Sequence, residues 1–417
     1  MDHTLVRAFL LLFAFAGPLL IQADDVPIPK TSAEKLKKEL FAEYDRTIRP
    51  SEESTPTVVK FDITIIHFDL CEKSSVLTVN GWAKFMWTDQ KMAWNPANHG
   101  DLKVLHVPYD ELWIPDVVLY NSAVGNKIDQ HGTTYSLVYN NSSVLWVPPS
   151  IYETNCKLDL RLWPFDRQSC KLVVGSWTHH VGQIDLQLST DWNDQEYMTP
   201  NDEWHLVNVD KQRNAKKYEC CEEEYADITY TLTLQRRPEM YKTLVMTPAF
   251  VIIILSLSVF ILPTQAGEKI VLNAITTLVI TIVLFAMSQK LPAIASNPPL
   301  IVLFFGSSLL MVAIAFFESV LVIKMSRSCG AHPLPPFIKQ VLSGWFGSFI
   351  LNGKNSVQKK ANDEEMTGQG QTSKNEGASG EFQREWLMFA SAIDRIFFIV
   401  YALIYLIKII TFYVTVL

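Results

Sequence analysis

Hydrophobic positions divide this chain into two zones with different spacing. Up to about residue 238, apolar and polar residues alternate over short stretches, as in Lys60-Phe61-Asp62-Ile63-Thr64-Ile65, Val144-Leu145-Trp146-Val147 and Asp227-Ile228-Thr229-Tyr230-Thr231-Leu232. A period of two predicts half-buried strands, and the intervening Asn, Gly and Pro residues predict turns, so this zone reads as a β-sandwich of immunoglobulin size or larger. Residues 32–46 break the alternation. Leu36, Leu40 and Phe41 fall on one helical face behind Thr31 or Ser32 as the cap, which predicts an amphipathic helix ahead of the strands. Beyond residue 238 the apolar runs become continuous. The runs at 243–262, 270–287, 300–323 and 396–416 are each long enough to cross a bilayer, which takes about 20 apolar residues.

The chain's orientation follows from its first residues. Arg7, an apolar run over 9–21 and Ala23 before Asp24-Asp25 have the layout of a secretory signal peptide cleaved after Ala23. The expected domains are then a signal peptide at 1–23, an extracellular domain at 24–238, membrane helices at 239–323, an intracellular loop at 324–395 and a last crossing at 396–417. Lys324, Arg327, Lys339, Lys354, Lys359 and Lys360 crowd the long loop, as the positive-inside rule asks. Within that loop Phe337, Val341, Leu342, Trp345, Phe346 and Phe349 recur at helical spacing and predict an interfacial helix. Residues 353–380 are rich in Gly, Ser, Gln, Asn, Lys and Glu and predict disorder, and 383–391 resume a helix. Cys329 is expected as a free thiol just inside the membrane.

Composition adds little to the pattern. Among 417 residues 48% are hydrophobic, concentrated in the second half, and the net charge of −7 belongs mainly to the outer domain, where acidity serves solubility. No nucleotide-binding loop, cluster of metal ligands or nucleophile constellation stands out, so neither an enzyme nor a cofactor, metal or nucleic-acid partner is expected. Asn140-Asn141-Ser142-Ser143 offers N-glycosylation at Asn140 or Asn141.

Cysteines constrain the outer domain further. Cys71, Cys156, Cys170, Cys220 and Cys221 lie there, an odd number that leaves one over, and Cys71 is the candidate free thiol. A bond between Cys156 and Cys170 would close a short loop, constrain the unfolded chain by roughly 3 kcal/mol and present an apolar tip, Trp163-Pro164-Phe165. For the adjacent Cys220 and Cys221, spacing leaves a vicinal bond and two separately partnered thiols equally open. Neighbouring Cα atoms about 3.8 Å apart are closer than a relaxed disulfide prefers.

The segment from Cys156 to Cys170 resembles the signature loop of the Cys-loop ligand-gated ion channels, which are pentamers. Tyr218-Glu219-Cys220-Cys221-Glu222-Glu223-Glu224-Tyr225 is similar to the vicinal-disulfide loop of alpha-type nicotinic acetylcholine receptor subunits. Other family stretches follow in order: Trp82, Trp87-Thr88-Asp89, Trp113-Ile114-Pro115-Asp116, Leu119-Tyr120-Asn121-Ser122, Gly175-Ser176-Trp177 and Gly267-Glu268-Lys269. The resemblance implies an aromatic box for an acetylcholine-like cation, because a quaternary ammonium cannot donate a hydrogen bond and is held by ring faces. Its principal wall is expected from Tyr120, Trp177, Tyr218 and Tyr225 with a Cys220–Cys221 disulfide. Trp82, Leu137 and Val147 of a neighbouring subunit are expected to form the complementary wall. One chain carries both walls, which is compatible with a homopentamer of this chain and four further copies.

Coupling and pore residues are implied in the same way. Glu72 and Arg236 match the family's ion pair beneath the binding domain, and Trp163, Pro164 and Phe165 are expected to meet the link at 290–299. For the second membrane helix, polarity alone nominates Asn273, Thr277, Thr281 and Ser288 as the wet stripe. The family anchors at Glu268 and Pro292 instead turn Val271, Ile275, Leu278, Ile282, Phe285 and Gln289 toward the axis, and that register is preferred. Glu268 would form an acidic ring that favours permeant cations, and Lys269 is expected at the membrane interface, not in the filter. The lumen is then unusually apolar. Thr178-His179-His180-Val181 after Trp177, and Val173, depart from the family; a solvated loop without metal is expected there. Two function classes follow: an agonist-gated cation channel, or a ligand-binding membrane receptor with little conduction. Membrane lipids are expected partners in either case.

Overall fold

The alternating zone folds as two facing sheets. The computed structural model describes residues 31–125, 130–189, 197–292, 297–327, 333–343 and 374–416. Helix α1 (Ser32–Leu40) opens the chain, capped by Thr31, whose hydroxyl accepts the Glu34 N–H at 3.2 Å. It is shorter than the expected 32–46. Asp45 accepts the N–H and hydroxyl of Thr47 at 2.8 and 2.6 Å, and this local turn competes with the helix, as short polar side chains do.

One sheet has seven strands along the path β3 (Val104–Pro108), β5 (Tyr135–Tyr139), β6 (Asn141–Trp146), β2 (Val76–Ala93), β1 (Thr57–Cys71) and β9 (Ile184–Leu188), with β7 (Pro149–Asn155) also on β2. The other orders β10 (Trp204–Lys217), β11 (Glu224–Arg236), β8 (Arg167–Ser176) and β4 (Val117–Leu119). Neighbours are antiparallel except β1 and β9, which run parallel. Inward side chains of both sheets, among them Phe61, Phe85, Trp87, Tyr152, Leu172, Ile228 and Leu232, make one buried core.

Four helices are long and apolar enough to cross a membrane: α2 (Glu239–Ser258), α3 (Glu268–Lys290), α4 (Leu300–Arg327) and the 382–415 part of α6 (Lys374–Val416). The helix expected at 383–391 is continuous with the fourth crossing. Helix runs unbroken from Lys374, so 374–380, where disorder was expected, is helical; 353–373 lie outside the described residues. Of the interfacial helix only α5 (Pro336–Ser343) is described. Residues 1–30 and Cys329 fall outside as well.

The two zones share a packed junction. Leu160 and Trp163 of the loop closed by the Cys156–Cys170 disulfide are buried in one cluster with Val245, Met287, Ile301 and Phe305 of the membrane helices. Leu158 packs against both this cluster and the sandwich core.

Candidate ligand-binding, coupling and pore sites

One end of the four-stranded sheet gathers four aromatic rings. Val117↔Ser176 and Val118↔Gly175 pair β4 antiparallel with β8, so the Tyr120 backbone lies across from Val173 and its side chain reaches back along β8 until its ring stands 6.2 Å from that of Trp177. Gly175 permits this approach, since a Cβ there would lie 2.5 Å from the Tyr120 hydroxyl. That hydroxyl donates to the Ser176 carbonyl at 2.5 Å. Burial, then the nearby Tyr218 hydroxyl, pushes the Tyr120 phenol well above its ordinary pKa, so it stays a neutral donor. Tyr218 and Tyr225 flank the β10–β11 tip with centroids 6.1 Å apart. The Val181 N–H bonds the Glu224 carbonyl at 2.8 Å, tying the loop after Trp177 to that tip. Trp177 is 62% exposed, as a ring offered to a ligand must be.

Asp116 organises the loop from behind. Its carboxylate accepts from the Ser176 hydroxyl at 2.5 Å and from the Thr178 N–H and hydroxyl at 2.7 and 2.5 Å, and lies 3.1 Å from His179 Nδ1. Burial opposes its charge, but these hydrogen bonds outweigh burial and hold its pKa below the usual carboxylate range. The histidine pair therefore sits in a hydrogen-bonded loop, His179 on Asp116 and His180 accepting from the Gly182 N–H at 3.1 Å.

Cys220 and Cys221 lie at the β10–β11 tip beside Tyr218 and Tyr225. The structure holds both as free thiols, one exposed and one half-buried. The thiols hydrogen-bond each other, and Cys221 reaches the Tyr225 hydroxyl, which raises the pKa of Cys220 and of Tyr225. Cys71 is likewise a free, exposed thiol.

The other proposed wall lies on the seven-stranded sheet. Trp82 on β2 is exposed, with its ring 5.5 Å from Tyr197, and borders a cavity of about 510 Å³ that includes His131 and Ile151. Leu137 on β5 pairs with Leu145 on β6, and Val147 follows β6; all three are half-buried on the outward side of the strands. Among the described residues, no ring contact joins Trp82 to the four rings of the first group. The two walls of one chain thus stand on different sheets. Asn141, at the start of β6, is exposed, whereas the Asn140 backbone is engaged with Lys103 and Trp94.

Beneath the sandwich, Arg236 sits in a cage larger than the expected pair with Glu72. Its guanidinium donates to Glu72, to Asp166 at 2.7 and 3.2 Å and to Glu203 at 2.7 Å, and lies 4.1 Å over the Trp204 ring. Burial disfavours the charge, yet Asp166 and Glu72 raise its pKa, so Arg236 stays cationic. Tyr241 at the start of α2 donates to Glu203 at 2.9 Å and stacks edge-on with Trp163 at 5.4 Å. Pro164 is buried, Phe165 lies 6.4 Å from Phe412 of α6, and the Leu300 N–H bonds the Arg161 carbonyl at 3.0 Å. Of the link expected to meet this tip, 293–296 lie outside the described residues. Asp166 belonged to a recognised motif, but Glu203, Trp204 and Tyr241 carried no spacing signal, because only folding brings β10 and α2 to the end of β11.

Helix α3 presents Glu268, Val271, Ile275, Leu278, Ile282, Phe285 and Gln289 as exposed side chains, Leu278 at 60%. Of the rival polar stripe, Thr281 and Ser288 are exposed as well, Thr277 is half-buried and Asn273 is buried. Asn273 donates to the Ser319 hydroxyl at 3.1 Å, while the hydroxyls of Thr277, Thr281 and Ser288 bond carbonyls of their own helix. Lys269 requires a correction. It is fully buried and paired with Asp394 of α6 at 2.5 Å, because an ammonium among packed helices needs a carboxylate more than it can reach water.

Comparison with known proteins agrees with this architecture. Residues 33–238 match the neurotransmitter-gated ion-channel ligand binding domain, and residues 245–381 match the neurotransmitter-gated ion-channel transmembrane region. The human neuronal acetylcholine receptor subunit alpha-2 is 35% identical over 321 residues, covering 76% of this chain and 60% of the relative. The mouse alpha-6 subunit is 32% identical over 326 residues, covering 78% of this chain and 66% of the relative. The chain therefore spans about 60% of the length of the curated relatives it matches first. With ligand-binding and transmembrane regions both matched, in that order and the second across the first three apolar helices, the chain belongs to the neurotransmitter-gated ion-channel family, as a multi-pass membrane protein with an extracellular N-terminal ligand-binding domain.

Proposed function

We propose that this chain is one subunit of a nicotinic-type channel, gated by an acetylcholine-like cation and selective for cations. The observation that carries the reading is the cluster of Tyr120, Trp177, Tyr218 and Tyr225 at one end of a sheet, with Trp82 exposed on the other. Four ring faces suit a quaternary ammonium, each contributing about 0.5 to 2 kcal/mol. The missing wall then comes from the next subunit in a pentamer, and since one chain has both walls, a homopentamer is self-sufficient. The names of the relatives supply the agonist class. Five copies of Glu268 would favour cations at the inner mouth of a pore lined by α3. Trp163, Pro164, Phe165 and the Arg236 cage would carry closure of the binding loop to the helices as a two-state shift.

Binding of a radiolabelled nicotinic ligand to the full receptor tests the site. Trp177→Ala is expected to abolish it while pentamers still reach the surface; unchanged affinity sinks the assignment.

A second reading has its own support. The exposed stripe of α3 is apolar from Val271 to Phe285, and an apolar constriction sheds water. The chain would then bind ligand and conduct little. Whole-cell recording separates the two. Agonist-evoked or spontaneous cation current in Leu278→Thr supports a channel with a high dewetting barrier, and silence in assembled wild-type and mutant receptors supports the second reading.

A further inference from the structure

Lys408 is a cation where the chain otherwise puts hydrocarbon. It lies on α6, eight residues before Val416 and so about 12 Å down the helix from that end, inside the membrane-crossing run. Its ammonium has only weak neutral partners: the Ser308 hydroxyl and the Met311 sulfur, each at 3.4 Å, and the faces of Tyr405 and Phe304 at 5.3 and 5.4 Å. Among the described residues no carboxylate lies within ion-pair distance of it. Asp394, on the same helix, is about 21 Å away along the axis and engages Lys269. Ionisable groups in membrane segments are costly and usually paired. Lys408 has three donors and no anion.

Beside it lies a cavity of about 610 Å³, the size of a small-molecule site. Leu284 of α3, Leu303, Phe304, Gly306 and Ser307 of α4 and Thr411 of α6 line it with Lys408, its one charged lining residue among the described residues. A Cβ built at Gly306 meets nothing within 4 Å, so the α4 wall faces open space. From Lys408 the lining rises to Leu300, whose N–H bonds the loop of the outer domain, so the cavity occupies the outer half of the bundle.

We propose that this cavity binds a single-chain fatty acid, with its carboxylate against the Lys408 ammonium and its chain along α4 and α6. Charge complementarity selects the occupant. One anion neutralises one cation where little water competes, and the apolar lining accepts a chain. A fatty acid suits the depth better than a phospholipid, whose bulky head and glycerol keep its charge at the interface.

Photolabelling of the full-length receptor in nanodiscs, with a diazirine analogue of palmitic acid, tests this. Label is expected on the outer halves of α4 and α6, displaced by palmitate roughly tenfold better than by hexadecanol, as one charge-assisted hydrogen bond contributes. Lys408→Gln should erase that preference, and Lys408→Arg should restore it. Gly306→Leu fills the cavity and keeps the charge, so it should abolish labelling in receptors that still assemble at the surface. Equal displacement by hexadecanol or cholesterol in the wild type overturns the proposal. So does a palmitate preference that survives Lys408→Gln, or labelling that survives Gly306→Leu.

Discussion

Two polar residues do more for the binding and coupling sites than their exposure indicates. Asp116 does not face the ligand, yet three of its hydrogen bonds fix the backbone on either side of Trp177. Its folded pKa is depressed, so its stabilisation is complete above the unfolded value near 3.9 and is lost as pH falls through the lower folded value. Ligand affinity should therefore show no titration from this group between about pH 5 and 8. Asp116→Asn should weaken binding throughout that range by loosening the loop; a variant that binds normally would show the hydrogen bonds to be dispensable. Arg236 presents the opposite case, a buried cation whose removal strands carboxylates. Arg236→Gln should cost about 3 to 5 kcal/mol in the thermal stability of the full receptor. Arg236→Lys, which keeps the charge, should lose less, and an equal loss in the two variants would assign the effect to packing over Trp204.

At the scale of elements, α3 is where polarity and the family anchors nominate different faces. Asn273, Thr277, Thr281 and Ser288 look like a wet stripe in one dimension, but a hydroxyl on a helix can satisfy itself on its own backbone, and Asn273 finds Ser319. Charged thiol reagents added from water should modify Leu278→Cys and Ile275→Cys in opened receptors and leave Asn273→Cys untouched. The reverse pattern would restore the polar stripe to the lumen. The sequence-based reading succeeded where a repeat reports a face: alternation for the sheets and continuous apolarity for the crossings. It failed at Lys269 and Asp394, 125 residues apart, because a buried pair between distant helices leaves no periodic trace. The start of α6 was misread for a related reason, since Gly377 and Gly380 suggest a linker although the helix runs through them.

For the whole molecule, the Cys156–Cys170 loop is the mechanical seam. Trp163 and Leu160 belong to the membrane cluster, while Leu158 touches both cores, and burying one such side chain is worth about 1.5 to 3 kcal/mol. Trp163→Ala should leave ligand affinity within a few fold and uncouple binding from the helices. The check is fluorescence of a probe at the outer end of α3, which should no longer respond to agonist; a normal response would remove the tip from the pathway. The sequence made the loop visible through its cysteines. It did not show how far the seam extends, because Glu203, Trp204 and Tyr241 join it only after β10 and α2 meet.

The separation of Trp82 from the four-ring cluster within one chain has an arithmetic consequence. A subunit with unlike half-sites on different sheets must join its neighbours head to tail, so each interface takes one half from either side. Two subunits that are each inactive can then repair one another. Trp177→Ala alone and Trp82→Ala alone should bind no ligand, but cells given equal amounts of both should recover about one quarter of the wild-type sites, the fraction of interfaces in a random ring that pair the intact halves.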